Sequence, residues 1–268
     1  MLIVSFIVPN TPSGSPSCTR YYVGDFDGTR FTPRTGPLPL SFGPDDYAAV
    51  SWSDAPDARR IVIGWMSHWG YADKIPTASE NWRGAMTLPR ELSFRDGTLR
   101  QNPPVELEGA RGKPITFDES GIAWRGEAFE LEAEIDLLAL QDEEVGLALR
   151  VGGGKREESG GKRDESETTR VVYNVAAGEL RIDRTRSGQH DFAEGFDACY
   201  SAPLELRGGV LKLRIFVDRC SVEVFAQDGE LYGAALIFPS PESQGIELIG
   251  HGAKVIRGTL YPMGASDG

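Results

Sequence analysis

Residues Phe129 to Leu137 read FELEAEIDL, and this run permits very few folds. Phe129, Leu131, Ala133, Ile135 and Leu137 recur at every second position, with Glu130, Glu132, Glu134 and Asp136 between them. A period of two puts the apolar set on one face of a strand and the acids on the other. A helix would scatter both sets around its circumference. The segment therefore reads as a strand with one dry face and one wet face, and it needs a second layer to cover the dry one.

The same reading extends along most of the C-terminal half. Val145–Val151, Val171–Val175, Leu211–Val217, Ser221–Phe225, Leu231–Phe238 and Val255–Leu260 are short apolar or alternating runs. Gln227-Asp228-Gly229 between two of them is a turn signal. Short strands, frequent turns and no helical periodicity describe an all-β chain whose C-terminal part is a β-sandwich. Gly152 to Thr169 carries no apolar residue and reads as a solvated hairpin loop. The first hundred residues differ, being rich in Trp, Tyr, Pro and Gly. Asn102-Pro103-Pro104 reads as a linker, because proline restricts its predecessor and interrupts strand ladders. This divides the chain into residues 1–105 and 106–268.

Composition then excludes several classes of function. The net charge is −12, which would repel phosphates and argues against nucleic acid. It leaves a neutral ligand unopposed. No run of about 18 apolar residues exists, so no membrane helix is expected. Met1–Val8 (MLIVSFIV) lacks a basic leader and meets Pro9, so it reads as a buried strand rather than a signal peptide. Cys18, Cys199 and Cys220 are widely spaced and show no metal-ligand pattern. His68, His190 and His251 are isolated, and each reads as structural.

Five strings point further. They are Tyr21–Gly28 (YYVGDFDG), Gly64–Tyr71 (GWMSHWGY), Trp82–Leu92 (WRGAMTLPREL), Ile182–Gly188 (IDRTRSG) and Val217–Phe225 (VDRCSVEVF). In this order they resemble glycoside hydrolase family 32, the invertases, levanases and inulinases. The resemblance implies a five-bladed β-propeller followed by a β-sandwich. Met1–Val8 would be the last strand of the third blade, and the segment from Tyr21 would form the last two. Residues 1–105 would then be a partial propeller and 106–268 the sandwich.

The resemblance also implies retaining hydrolysis of terminal β-D-fructofuranosides by a pair of carboxylates about 5–5.5 Å apart. The family carries its catalytic acids on Asn-Asp-Pro, Arg-Asp-Pro and Glu-Cys. None of the three strings occurs in this sequence. Arg95-Asp96-Gly97 is nearest to the second and reads as a hairpin turn. No residue is therefore assigned a catalytic role. The expected function is that of the C-terminal part of a fructan or sucrose hydrolase, inactive alone. The alternative is a non-catalytic fructan-binding or assembly module.

Sugar-binding candidates follow only where the family's strings survive. Trp69 matches the tryptophan that lines the fructose pocket, where an indole face packs on the C–H face of a sugar. Tyr71 is its companion. Asp25 is either a hydroxyl acceptor at the pocket edge or part of a turn, and Asp27 is read as a turn residue. Arg83 is read as structural, and Arg90 as a partner for a carboxylate. Ser41 stands where the family often has aspartate. No metal or organic cofactor is implied. The implied partners are sucrose, levan or inulin, together with a complementing N-terminal fragment or a second copy of the chain. Localisation is left open.

Overall fold

The computed structural model describes residues 1–7, 17–95, 97–152 and 166–264. Its described strands fall into four antiparallel sheets. The first contains β1 (Leu2–Ile7), β2 (Ser17–Phe26) and β3 (Phe31–Pro39) in that order. The second contains β4 (Tyr47–Ser51), β5 (Ile61–Met66), β6 (Ala85–Met86), β7 (Arg90–Arg95) and β8 (Thr98–Asn102). Its order is β4-β5-β7-β8, with β6 also paired to β5.

The remaining strands are β9 (Ile115–Thr116), β10 (Phe129–Asp136), β11 (Glu144–Gly152), β12 (Glu167–Asn174), β13 (Glu179–Arg186), β14 (Cys199–Pro203), β15 (Val210–Asp218), β16 (Ser221–Ala226), β17 (Leu231–Leu236), β18 (Gly245–Ile249) and β19 (Lys254–Pro262). They form a six-stranded sheet, β17-β16-β15-β10-β19-β9, and a five-stranded sheet, β14-β13-β12-β11-β18. One apolar core joins these two sheets. It is built from Phe129, Leu131 and Ile135 of β10, Leu147 of β11, Ile182 of β13, Ile215 of β15 and their neighbours. The alternation of β10 is thus the reason a second sheet lies over it.

Three expectations need correction. The described part of Met1–Val8 forms strand β1 (Leu2–Ile7), but not a buried one, since Leu2 is 41% and Ile7 64% exposed. Its sheet has only three strands, and β1 lies at one edge, so little covers its side chains. The wet face of β10 contains one dry acid: Glu130 is fully buried, because Arg111 and Arg214 grip its carboxylate at 2.5 and 2.6 Å. The loop expected over Gly152–Thr169 falls mostly on residues 153–165, outside the described residues. Its far end is already strand β12, with Thr168 and Thr169 buried.

The N-terminal sheets meet the C-terminal ones along β17. Phe42 N–H donates to the Tyr232 carbonyl at 3.0 Å, and Asp45 N–H to the Ala234 carbonyl at 3.3 Å. Gly43 lies between them, where a Cβ would stand 2.0 Å from the Ala234 oxygen. Only glycine permits that approach. Gln101 N–H donates to the Gly229 carbonyl, at the tip of the turn after β16. Gln227, Asp228 and Gly229 all have positive φ there, in keeping with the turn expected from their sequence.

Candidate functional site: an exposed tryptophan on a buried polar anchor

Strand β5 alternates half-buried Ile61, Ile63 and Trp65 with buried Val62, Gly64 and Met66. It leads into Ser67–Ile75, a turn whose residues face in two directions. Trp69 points outward and is 55% exposed. Its ring lies 5.0 Å from that of Trp65 at 56°, and Tyr47 meets Trp65 edge-on at 6.3 Å. Tyr47, Trp65 and Trp69 thus make an aromatic run that ends at the surface. An indole face left in water is able to pack on an apolar ring face, with its N–H free to reach a hydroxyl.

Tyr71, two residues on, points inward and is 4% exposed. Its hydroxyl donates to Asp45 Oδ1 at 2.5 Å. The other carboxylate oxygen accepts from Arg184 Nη1 at 2.9 Å and from Leu236 N–H at 2.7 Å. Arg184 donates further to the Leu236 carbonyl, the Phe196 carbonyl, the Tyr71 hydroxyl and the Tyr200 hydroxyl. All five guanidinium N–H groups therefore find acceptors, which is the full capacity of an arginine. The guanidinium also lies 3.8 Å over the Phe196 ring. Burial, followed by the Asp45 charge, raises the Tyr71 phenol well above its ordinary range, so it remains a donor. His68 is buried beside it, and burial lowers the pKa of its imidazole.

A second buried cluster stands next to the first. Arg90 Nη2 donates to both oxygens of Asp46, at 3.1 and 2.9 Å. Its guanidinium lies 4.1 Å over the Tyr232 ring. Tyr232 donates to Glu223 at 2.5 Å, and Glu223 also accepts from the Leu88 N–H. Burial pushes the Glu223 carboxyl up to about 7.

The sequence candidates are not all brought together. Trp69 and Tyr71 share one turn but face opposite environments. Asp25 lies on β2 in the three-stranded sheet, 62% exposed and paired with Arg34 at 2.6 Å. Asp27 accepts from the backbone N–H groups of Arg30 and Thr29, which lower its pKa, and this is turn chemistry. Arg83 pairs with the exposed Asp73 at 3.2 Å. A cleft of about 470 Å³ lies elsewhere, between the β7–β8 hairpin and the six-stranded sheet, with Arg95, Asn102, Glu134, Lys212 and Arg257 on its walls. Among the described residues no group of His, Cys, Asp and Glu could hold a metal.

Two sequence profiles match this chain: glycosyl hydrolases family 32 N-terminal domain over residues 1–103, and glycosyl hydrolases family 32 C terminal over residues 98–261. The chain belongs to glycoside hydrolase family 32. A levanase of Bacillus subtilis (strain 168) is 37% identical over 97% of the chain and 40% of its own length. An extracellular exo-inulinase of Aspergillus awamori is 32% identical over 99% of the chain and 52% of its own length. The crystal structure of an exo-inulinase from Aspergillus awamori superposes with a TM-score of 0.80, at 30% identity, covering 98% of this chain and 56% of that one. The chain thus spans about half the length of the relatives it matches, or less.

Within this family 32 chain, sequence reasoning missed Asp45, Asp46, Arg184 and Glu223. A signal for Arg184 was present. Strand β13 reads ELRIDRTR, and Arg184 occupies the register position of buried Leu180 and Ile182. A charged residue on the dry side of an alternating strand requires a buried partner.

Proposed function

We propose that this chain is the C-terminal part of a β-fructofuranosidase of the levanase, inulinase or invertase type and supplies one wall of its sugar site. In this reading residues 1–105 are the last blades of a five-bladed propeller, and 106–268 are the sandwich that follows. The four-sheet layout and the profile ranges on either side of residue 100 support that division. The observation that carries the proposal is Trp69, a large indole exposed on a turn whose other side is anchored in the core. Fructose rings offer the C–H faces that such an indole binds. Asp25 lies at the rim in this reading, accepting sugar hydroxyls when it exchanges out of its pair with Arg34. Tyr71 serves from behind the wall.

Cleavage in this reading takes two carboxylates, one attacking the anomeric carbon and one protonating the leaving oxygen before activating water. With no Asn-Asp-Pro, Arg-Asp-Pro or Glu-Cys here, those groups come from sequence outside these 268 residues. They would be delivered by a longer chain or by a complementing N-terminal fragment.

The purified chain tests this directly. It is expected to release no fructose from sucrose, levan or inulin, yet to be retarded in gels containing levan or inulin. Trp69→Ala is expected to weaken that retention about tenfold, the order of one lost aromatic contact. Fructose release by the chain alone would overturn the division of labour. Absence of retention would remove the sugar wall and leave an assembly module.

A further inference from the structure

Resting on the reading of Trp69 as a sugar contact, we propose that Arg184, Asp45 and Tyr71 are positioning residues for that contact. The buried network they form makes the C-terminal sheets set the orientation of Trp69 over Trp65.

Little holds Trp69 directly. Among the described residues its indole makes one ring contact, with Trp65, and no side-chain hydrogen bond. The turn around it is closed by three short-range backbone bonds, from Tyr71 and Ala72 to the His68 carbonyl and from Lys74 to the Tyr71 carbonyl. Gly70 N–H also donates to His68 Nδ1 at 3.1 Å. These bonds are local, and Tyr71 ties the turn to the core, because its hydroxyl is fixed by Asp45 at 2.5 Å and Arg184 at 3.2 Å. Arg184 comes from β13, 139 residues beyond Asp45 in sequence, so the tie is made to the C-terminal sheets.

A role in bulk stability alone does not account for this chemistry. Apolar side chains of similar volume often replace a buried ion pair with little loss, since desolvating the pair offsets most of its attraction. A network with every donor and acceptor paired supplies a single geometry instead. The Tyr71 hydroxyl reaches from this network into the Trp69 turn, and its removal leaves the Asp45–Arg184 pair in place.

Tyr71→Phe and Arg184→Lys are therefore the informative variants, with Ile215→Val, in the distant core, as a control of comparable stability loss. The readouts are the exciton couplet of the stacked Trp65–Trp69 pair in circular dichroism, retention by levan, and the melting temperature. Trp69→Ala assigns the couplet. Tyr71→Phe is expected to lose most of the couplet and to weaken levan retention about three- to tenfold, no more than removal of the indole itself does. Arg184→Lys should act in the same direction and more strongly, while Ile215→Val lowers the melting temperature and leaves the couplet intact. If Tyr71→Phe lowers the melting temperature yet retains the couplet and the binding, the positioning role is overturned. If Trp69→Ala leaves levan retention unchanged, the sugar wall falls instead. Loss of the couplet in Tyr71→Phe would then still uphold the positioning role.

Discussion

Asp45 and Asp46 are neighbours in sequence, yet they join the N-terminal and C-terminal sheets through two differently finished clusters. Asp45 meets Arg184, whose five N–H groups are all paired. Asp46 meets Arg90, whose buried Nε has no hydrogen-bond partner among the described residues. The first cluster is closed. The second has an unpaired donor, and in Glu223 it has a carboxyl that titrates near neutrality. Low dielectric strengthens a complete network and penalises each gap in an incomplete one. One junction is therefore rigid, and the other is sensitive to its surroundings.

The largest expected effect compares the two arginines. Arg184→Ala strands Asp45 in the interior and should cost about 3–5 kcal/mol of stability. Arg90→Ala strands Asp46 in the same way, but it also removes an unsatisfied donor that already costs about 1–3 kcal/mol. Its net loss should be smaller by roughly that amount. Urea unfolding of both variants, followed by circular dichroism, measures the difference. Equal midpoints would dissolve the distinction between a closed and an open cluster.

The next effect depends on pH. Burial raises the folded carboxyl of Glu223 from its ordinary 4.5 to about 7, so the native state holds its proton longer than the unfolded chain does. The stability that this proton provides is complete below pH 4.5 and is lost as pH rises through about 7, a span worth roughly 3 kcal/mol. The groups that face Glu223 are Tyr232, the Leu88 N–H, Arg90 and Asp46. None of the first cluster takes part. Glu223→Gln should therefore flatten the stability profile between these limits, whereas Tyr71→Phe should leave the slope unchanged. A wild-type profile that rises across this window, with no change on Glu223→Gln, would place the pH-sensitive contact elsewhere.

How far the sequence disclosed this arrangement follows from what a pattern is able to record. Strand alternation is local, so β10, β15 and β16 could be read directly, and the family strings named Trp69 and the Arg90 segment. Partnership between residues 139 positions apart is not local. Arg184 and Asp45 meet only because β13 and the segment before β4 both end beside β17. Glu130 escaped for the same reason: by alternation it faces water, and only Arg111 and Arg214, from other elements, make its burial tolerable. Tyr71 was placed beside Trp69 because the two are close in sequence. In a tight turn, residues two apart diverge, and the tyrosine became the anchor of the surface that the tryptophan presents.

The smallest effect shows whether ion pairing as such joins the sheets. Asp25 and Arg34 make an ion pair as short as those inside, at 2.6 Å, but both are more than half exposed. Water competes for each charge there, and an exposed pair of this kind is worth about 0–1 kcal/mol. Asp25→Ala should move the unfolding midpoint scarcely at all, while Arg184→Ala, which breaks a pair of similar length, moves it by several times as much. Burial and complete hydrogen bonding, rather than charge, then account for the junction. The same variant reports on the sugar site. If Asp25→Ala leaves stability unchanged but weakens retention by levan, its carboxylate reaches saccharide hydroxyls. If neither quantity moves, Asp25 is a surface charge beside a turn, and the sugar wall reduces to the aromatic run that Tyr47, Trp65 and Trp69 present.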